Sequence, residues 1–311
     1  MRGPMMNYKH VTLFLILIFN ALQSCSRDNN TWSPYTSDLL FMSNVEGNGE
    51  IYLKKGNDTT WINLTKNNAG DNWAVWSPDG NKILFQSARS GNLDIWIMNK
   101  DGSDPKQLTT NEDHDYLPSF TPDSKKITFT SWRTESENEE RSPHIYIMSS
   151  DGSDQKRLIE ESMNTSAGAS WHPNGERFLF TKKLNEKGAD IFEADKNGKI
   201  IRQLTNDTLY SGGAEYSPDG SKIIFTQDFG DHTDIMLMNS DGTNQKTLIN
   251  GGTNYYPHFL HDGSWIVFTK ILPDTEDKDL DIYAIAIDDN SEEILLARSE
   301  KREAEGRCVP N

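Results

Sequence analysis

Apolar residues along this chain come in short runs, cut apart by clusters of Ser, Pro, Asp, Asn and Gly. The run DIWIM (94–98) reads as a strand, with a two-residue period. No helical period extends through these runs, so an all-β chain is expected. The breakers carry turn chemistry. In Ser77-Pro78-Asp79-Gly80 the proline presets φ and the glycine tolerates a positive φ. Asp101-Gly102, Asp151-Gly152 and Asp241-Gly242 are tight-hairpin signals.

The runs repeat. An aromatic opens one phrase at Trp32, Trp76, Phe120, Trp171, Tyr216 and Phe259. A phenylalanine closes it nine residues later each time, at Phe41, Phe85, Phe129, Phe180, Phe225 and Phe268. A second phrase opens at Glu50, Asp94, His144, Asp190, Asp234 and Asp281. Fourteen residues on stands Leu64, Leu108, Leu158, Leu204, Leu248 or Leu295. Each unit of about 45 residues therefore reads as four strands, a to d: a before the first aromatic, b ending near the closing Phe, c on the second phrase and d at the leucine.

One such sheet cannot bury both faces alone, whereas a ring of six can. The expected fold is all-β: a six-bladed β-propeller with four antiparallel strands per blade over residues 30–298. Strand a of the first blade is expected to end at Trp32, and 299–311 to form a C-terminal tail. These phrases resemble the TolB-type propeller repeat, a WD40-like motif. The resemblance implies the fold rather than one activity, since similar propellers occur in the translocation protein TolB, in the tricorn protease and beside the hydrolase domain of prolyl oligopeptidases.

The first 24 residues read as a lipoprotein-type signal peptide. Arg2 and Lys9 precede an apolar run from Val11 to Phe19, too short to span a bilayer. Leu22, Ser24 and Cys25 resemble a lipobox, which makes Cys25 the lipidated first residue and 25–29 a tether. The protein is then exported and anchored by lipid to a bacterial envelope membrane, facing the periplasm or the surface. Cys308 is the only other cysteine, so no disulfide framework is expected. Net charge is −16, and removing residues 1–24, with two basic and no acidic side chains, takes it to −18. Such a surface repels phosphate backbones, which sets nucleic acid aside as a partner.

Variation among the repeats points to function. The b–c connection is longest in the third repeat (131–144) and the sixth (270–281). In a propeller the b–c and d–a loops share one face. There the positions Asp71, Asp115, Ser166, Ser211 and Asn254 align, beside Asn72, Trp73, Asp113, His114, Tyr116, Tyr210, Tyr255 and Tyr256. Aromatic and polar groups around a concave mouth suit a peptide or a sugar. His258 and His261 read as core or surface histidines, and no metal site or cofactor is expected. No G-x-S-x-G elbow is present and no carboxylate pair stands out by spacing, so no catalytic residue is assigned. The function expected is binding of an envelope protein or peptide, with a carbohydrate-binding or carbohydrate-active (lyase- or glycosidase-like) axial cleft as the alternative.

Overall fold

The computed structural model describes residues 34, 36–136, 139, 141–161, 168–184, 188–271, 280–287, 291–298 and 303–308. All lie in the compact unit Ser33–Asn311. The strands follow the phrases. The first repeat forms β1 (Leu39–Ser43), β2 (Glu50–Lys54) and β3 (Trp61–Asn63). The second forms β4 (Asp71–Trp76), β5 (Lys82–Ser87), β6 (Asp94–Asn99) and β7 (Lys106–Gln107). The third forms β8 (Asp115–Phe120), β9 (Lys126–Ser131), β10 (His144–Ser149) and β11 (Lys156–Arg157). The fourth forms β12 (Ser170–Trp171), β13 (Arg177–Lys183), β14 (Ala189–Asp195) and β15 (Ile200–Gln203). The fifth forms β16 (Tyr210–Tyr216), β17 (Lys222–Asp228), β18 (Thr233–Asn239) and β19 (Lys246–Ile249). The sixth forms β20 (Thr253–Phe259), β21 (Trp265–Ile271), β22 (Leu280–Ala286) and β23 (Ile294–Ala297), and β24 (Glu303–Cys308) follows.

Within a repeat each strand pairs antiparallel with the next. Single parallel bridges, Ala189 to Tyr210 and Thr233 to Thr253, join the last three repeats at their edges. The 24 described strands thus fall into six four-stranded units, which fits six blades.

The C-terminal tail expected at 299–311 needs correction. Residues 303–308 are strand β24, and it pairs antiparallel with β1, Leu39 against Cys308 and Ser43 against Glu303. The first repeat's innermost strand therefore comes from the far end of the chain, not from a strand ending at Trp32, which lies outside the described residues. The reason is edge chemistry: β1 would otherwise present a row of unpaired backbone groups. β24 also packs on the sixth repeat, where a Cβ on Gly306 would meet Ile282 at 2.8 Å. The two ends of the ring close on each other.

Turns form as their residues dictate. Ser77 Oγ donates to Asp79 Oδ1 at 2.5 Å and accepts from Lys82 N at 2.9 Å. Ser217, Asp219 and Lys222 repeat that pattern. Gly80, Gly175, Gly220 and Gly263 take positive φ in this turn, and in the third repeat Ser124 stands in their place at φ 59°.

The closing phenylalanines are the core: all six are at most 1% exposed. Hydrophobic clusters form between neighbouring sheets rather than within them. Val75, Leu84 and Leu108 of the second repeat, for instance, pack with Phe120, Ile127 and Phe129 of the third. The seam between the sixth repeat and β24 has a smaller apolar cluster of Met42, Leu280 and Ala304.

The innermost strands of every blade but the fourth share one irregularity. Pairing slips between Asn72 and Val75, Tyr116 and Ser119, Gly212 and Glu215, and Tyr255 and His258. At the slip one residue takes positive φ: Trp73, Leu117, Gly213 or Tyr256, with Glu305 matching them in β24. Each is a β-bulge, which bends the strand and re-aims the side chains around it. Three bulge amides are held by side chains of the preceding blade: Leu117 N donates to Gln86 at 2.9 Å, Glu305 N to Thr269 at 3.3 Å, and Trp73 N to the Glu305 carboxylate.

Candidate functional site: the axial cavity

The innermost strands surround a cavity of about 700 Å³. It runs from Tyr210, Asp228 and Thr233 at one end to the turn prolines Pro78, Pro122, Pro173 and Pro218 at the other. The bulges set its wall. Trp73 and Tyr256, both in the left-handed region, bring their rings together edge to face at 5.2 Å. Tyr255 lies 5.8 Å from Tyr256. Leucine, proline and phenylalanine side chains complete a largely apolar surface.

Four expected site residues line this cavity: Trp73, Tyr210, Tyr255 and Tyr256. The aligned polar positions do something else. Asp71 and Asp115 are fully buried, and each meets an arginine, Arg89 at 2.7 Å and Arg133 at 2.5 Å. Those guanidiniums also lie over rings, Arg89 over Trp96 at 4.7 Å and Arg133 over Tyr146 at 5.0 Å. Burial pushes both carboxyls above their ordinary range, against the pull of the arginines and of Ser87 and Ser131. Ser211 and Asn254 are also fully buried; Gln227 donates to Ser211, and Asn254 donates to the carbonyl of Thr233. These four are buried against neighbouring side chains and backbone, and none of them lines the cavity.

Asn72 is half-buried, with its Oδ1 buried and unpartnered. His114 is exposed and accepts from Leu93 N at 3.1 Å, while the Tyr116 hydroxyl accepts from Trp132 at 2.8 Å. None of these three lines the cavity. Asp113 pairs with Arg141 of the long third loop, and Glu139 of that loop meets Arg157 at 2.6 Å. That hydrogen bond lowers the Glu139 carboxyl to about 2. Ser166, Cys25 and residues 272–279 of the sixth loop lie outside the described residues.

Three cavity residues escaped the sequence reading as a set. Glu215, His258 and Arg307 stand just before the last residue of β16, β20 and β24. His258 Nδ1 bonds Glu215 Oε2, Glu215 Oε1 accepts from Phe259 N at 3.1 Å, and Arg307 Nη1 lies 3.1 Å from His258 Nδ1. Burial works against the charge of Glu215, but His258 and Arg307 beside it hold its carboxyl low; burial, with the cation of Arg307, keeps the imidazole below its ordinary range. His261 lines the same cavity. The available signal was the residue preceding the opening aromatic, which is charged or titratable in the fifth and sixth repeats and Val75, Ser119 or Ser170 in the second to fourth. No phrase announces Arg307.

Comparison with known proteins agrees with this architecture. An uncharacterized peptidase of Bacillus subtilis, YuxL, is 28% identical over 151 residues, covering 48% of this chain and 22% of that protein. The Tol-Pal system protein TolB of Anaeromyxobacter dehalogenans is 32% identical over 98 residues, covering 32% of this chain and 22% of its own length. The chain thus matches about a fifth of the length of these two relatives. The crystal structure of TolB from Acinetobacter baumannii superposes with a TM-score of 0.76 at 18% identity, covering 100% of this chain and 75% of that one. The TolB beta propeller domain matches residues 23–138 and 137–305. Matched in this way over nearly all of its repeats, the chain belongs to the TolB beta propeller family.

Proposed function

We propose that this protein is an envelope lipoprotein whose propeller binds a segment of another protein in its axial cavity. Residues 1–24 serve as the export signal and Cys25 as the lipidated anchor, and the propeller follows a short tether. The observation that carries the binding reading is the cavity wall. Trp73, Tyr210, Tyr255 and Tyr256 present aromatic surface to a space of about 700 Å³, within the usual range of binding sites. Aromatic side chains give large contact area at low conformational cost and dominate binding energy where they are desolvated. A Tol-Pal system protein among the relatives supports a protein partner in the envelope. The buried Asp71, Asp115, Ser211 and Asn254 position the strands that carry these rings and do not touch the ligand.

The test is crosslinking of the anchored protein in its native envelope, followed by mass spectrometry, with a Trp73→Ala, Tyr256→Ala double variant alongside. One dominant protein partner, lost in the variant, is expected. A partner retained by the variant moves the contact away from the cavity. No protein partner, together with oligosaccharide binding that the variant abolishes, replaces this reading by the carbohydrate one.

A further inference from the structure

The cavity wall is electrically one-sided. At the level just before the end of each innermost strand, the second to fourth repeats place Val75, Ser119 and Ser170. The fifth and sixth repeats and β24 place Glu215, His258 and Arg307 side by side. Ionisable groups against an apolar wall are costly unless each is fully paired.

Arg307 is not fully paired. Other arginines here meet a carboxylate: Arg89 with Asp71 at 2.7 Å, Arg133 with Asp115 at 2.5 Å, Arg298 with Asp281 at 2.7 Å and Arg202 with Glu193 at 2.9 Å. Among the described residues no carboxylate forms an ion pair with Arg307, and its Nε is buried without a partner. Its one hydrogen-bond contact among the described residues is His258 Nδ1, at 3.1 Å, while the carboxylates of Glu215 and Glu305 lie near enough to favour its charge without bonding it. That nitrogen already meets Glu215, and one ring nitrogen cannot donate to a carboxylate and accept from a guanidinium at once. Glu215 is itself occupied by His258 and by Phe259 N. The guanidinium is held at 6.0 Å over the ring of Trp73, one of the proposed binding aromatics. A fork of donors is thus fixed beside the binding surface, near two carboxylates but bonded to neither.

We propose that Arg307 makes this cavity selective for a carboxylate, namely a Glu or Asp side chain carried by an otherwise apolar or aromatic peptide segment. This rests on the peptide-binding reading of the same cavity. The walls argue for a peptide: Leu117, Pro118, Phe120, Trp171 and Phe180 offer apolar surface rather than the polar groups that a sugar acid needs. The net charge of −16 argues against a free anion, which the surface as a whole repels, whereas apolar flanking residues supply attraction that offsets the repulsion. The acid enters with its apolar neighbours on Trp73 and Tyr256, and its oxygens take the unspent donors of Arg307.

The test uses the purified full chain on an array of aromatic-rich hexapeptides, each present with Glu and with Gln at its third position. Digalacturonate is titrated separately. The Glu forms are expected to bind about tenfold or more tightly than their Gln partners, the scale of a charge-assisted hydrogen bond. Arg307→Gln is expected to remove that preference while binding of the Gln forms stays, and Arg307→Lys to retain part of it. Glu215→Gln, which removes a like charge without touching ring closure, is expected to strengthen the preference. Should the Arg307 variants fail to fold, the Glu215→Gln result decides. Equal binding of Glu and Gln forms by the natural protein overturns the carboxylate assignment and leaves peptide binding standing. A preference kept by Arg307→Gln, or left unchanged by Glu215→Gln, overturns it too. No peptide bound at all overturns both readings, and digalacturonate bound in that case makes the ligand a sugar acid.

Discussion

Gly152, in the c–d hairpin of the third repeat, lies against the backbone of Leu108 in the second: a Cβ there would stand 2.9 Å from the leucine carbonyl oxygen. Gln155, three residues on, donates to the same oxygen at 3.0 Å. The contact recurs around the ring. A Cβ on Gly102 would stand 2.6 Å from the carbonyl oxygen of Leu64, one on Gly198 1.8 Å from that of Leu158 and one on Gly242 3.1 Å from that of Leu204. Two motifs that look independent in the sequence, the hairpin glycine and the leucine fourteen residues into the second phrase, are one joint between neighbouring blades.

The joint makes the hairpin glycines structural for two reasons. Gly102, Gly152 and Gly198 have φ of 86°, 94° and 87°, and each lacks room for a side chain. Gly198→Ala is expected to destabilise by about 3 kcal/mol, from left-handed strain plus a clash with rigid backbone. Gly230→Ala, at φ 94° in open space, should cost only the strain, about 1 kcal/mol. Urea unfolding of the two variants gives the comparison, and equal losses would remove the clash from the account.

Ser124 invites the opposite change. It occupies the left-handed position that glycine fills in the equivalent turns, at φ 59°. Ser124→Gly relieves that strain and gives back part of the gain as unfolded-chain entropy, so a net stabilisation of about 0.5–1 kcal/mol is expected. The thermal midpoint should rise, and a fall would show that the serine side chain contributes more than its backbone costs.

Ring closure depends on the last strand. Ending the chain after Arg298 removes β24, bares the inner edge of β1, deletes Ala304 from the seam and takes Arg307 out of the cavity. The truncated protein is expected to lose cooperative unfolding and to aggregate through the exposed edge. A single sharp urea transition in the truncated chain would contradict this.

The buried Asp115–Arg133 pair gives a pH-dependent prediction. Arg133→Met leaves the carboxylate without its cation in a site that excludes water, a loss of about 3 kcal/mol at neutral pH. Burial already raises the Asp115 carboxyl, and Arg133 is the first influence opposing it. Without the arginine the folded pKa climbs further above the unfolded one, so the native state takes up a proton more readily than the unfolded chain. The variant's deficit should therefore shrink as pH falls through that raised value and grow as pH rises. Unfolding free energies of both proteins at pH 5 and pH 8 provide the check.

By itself the sequence determined the parts of this protein that depend on near neighbours. Strand lengths, Ser-Pro-Asp-Gly turns and hairpin glycines follow from residues a few positions apart, so the repeat register and the buried phenylalanines were legible from spacing alone. Part of the cavity wall was legible too, because Trp73, Tyr210, Tyr255 and Tyr256 stand at the starts of innermost strands, which a propeller turns toward its axis. Asp71 and Asp115 share that alignment but are buried scaffold, since arginines 18 residues away fold back onto them. Which strand completes the first blade was decided only by tertiary structure: Ser43 and Glu303 meet across 260 residues. So was the cluster of Glu215, His258 and Arg307, brought together across 43 and 49 residues by a ring that must close. Contacts of that range leave no local pattern, because each residue satisfies its own strand equally well whichever partner it finds on the neighbouring one.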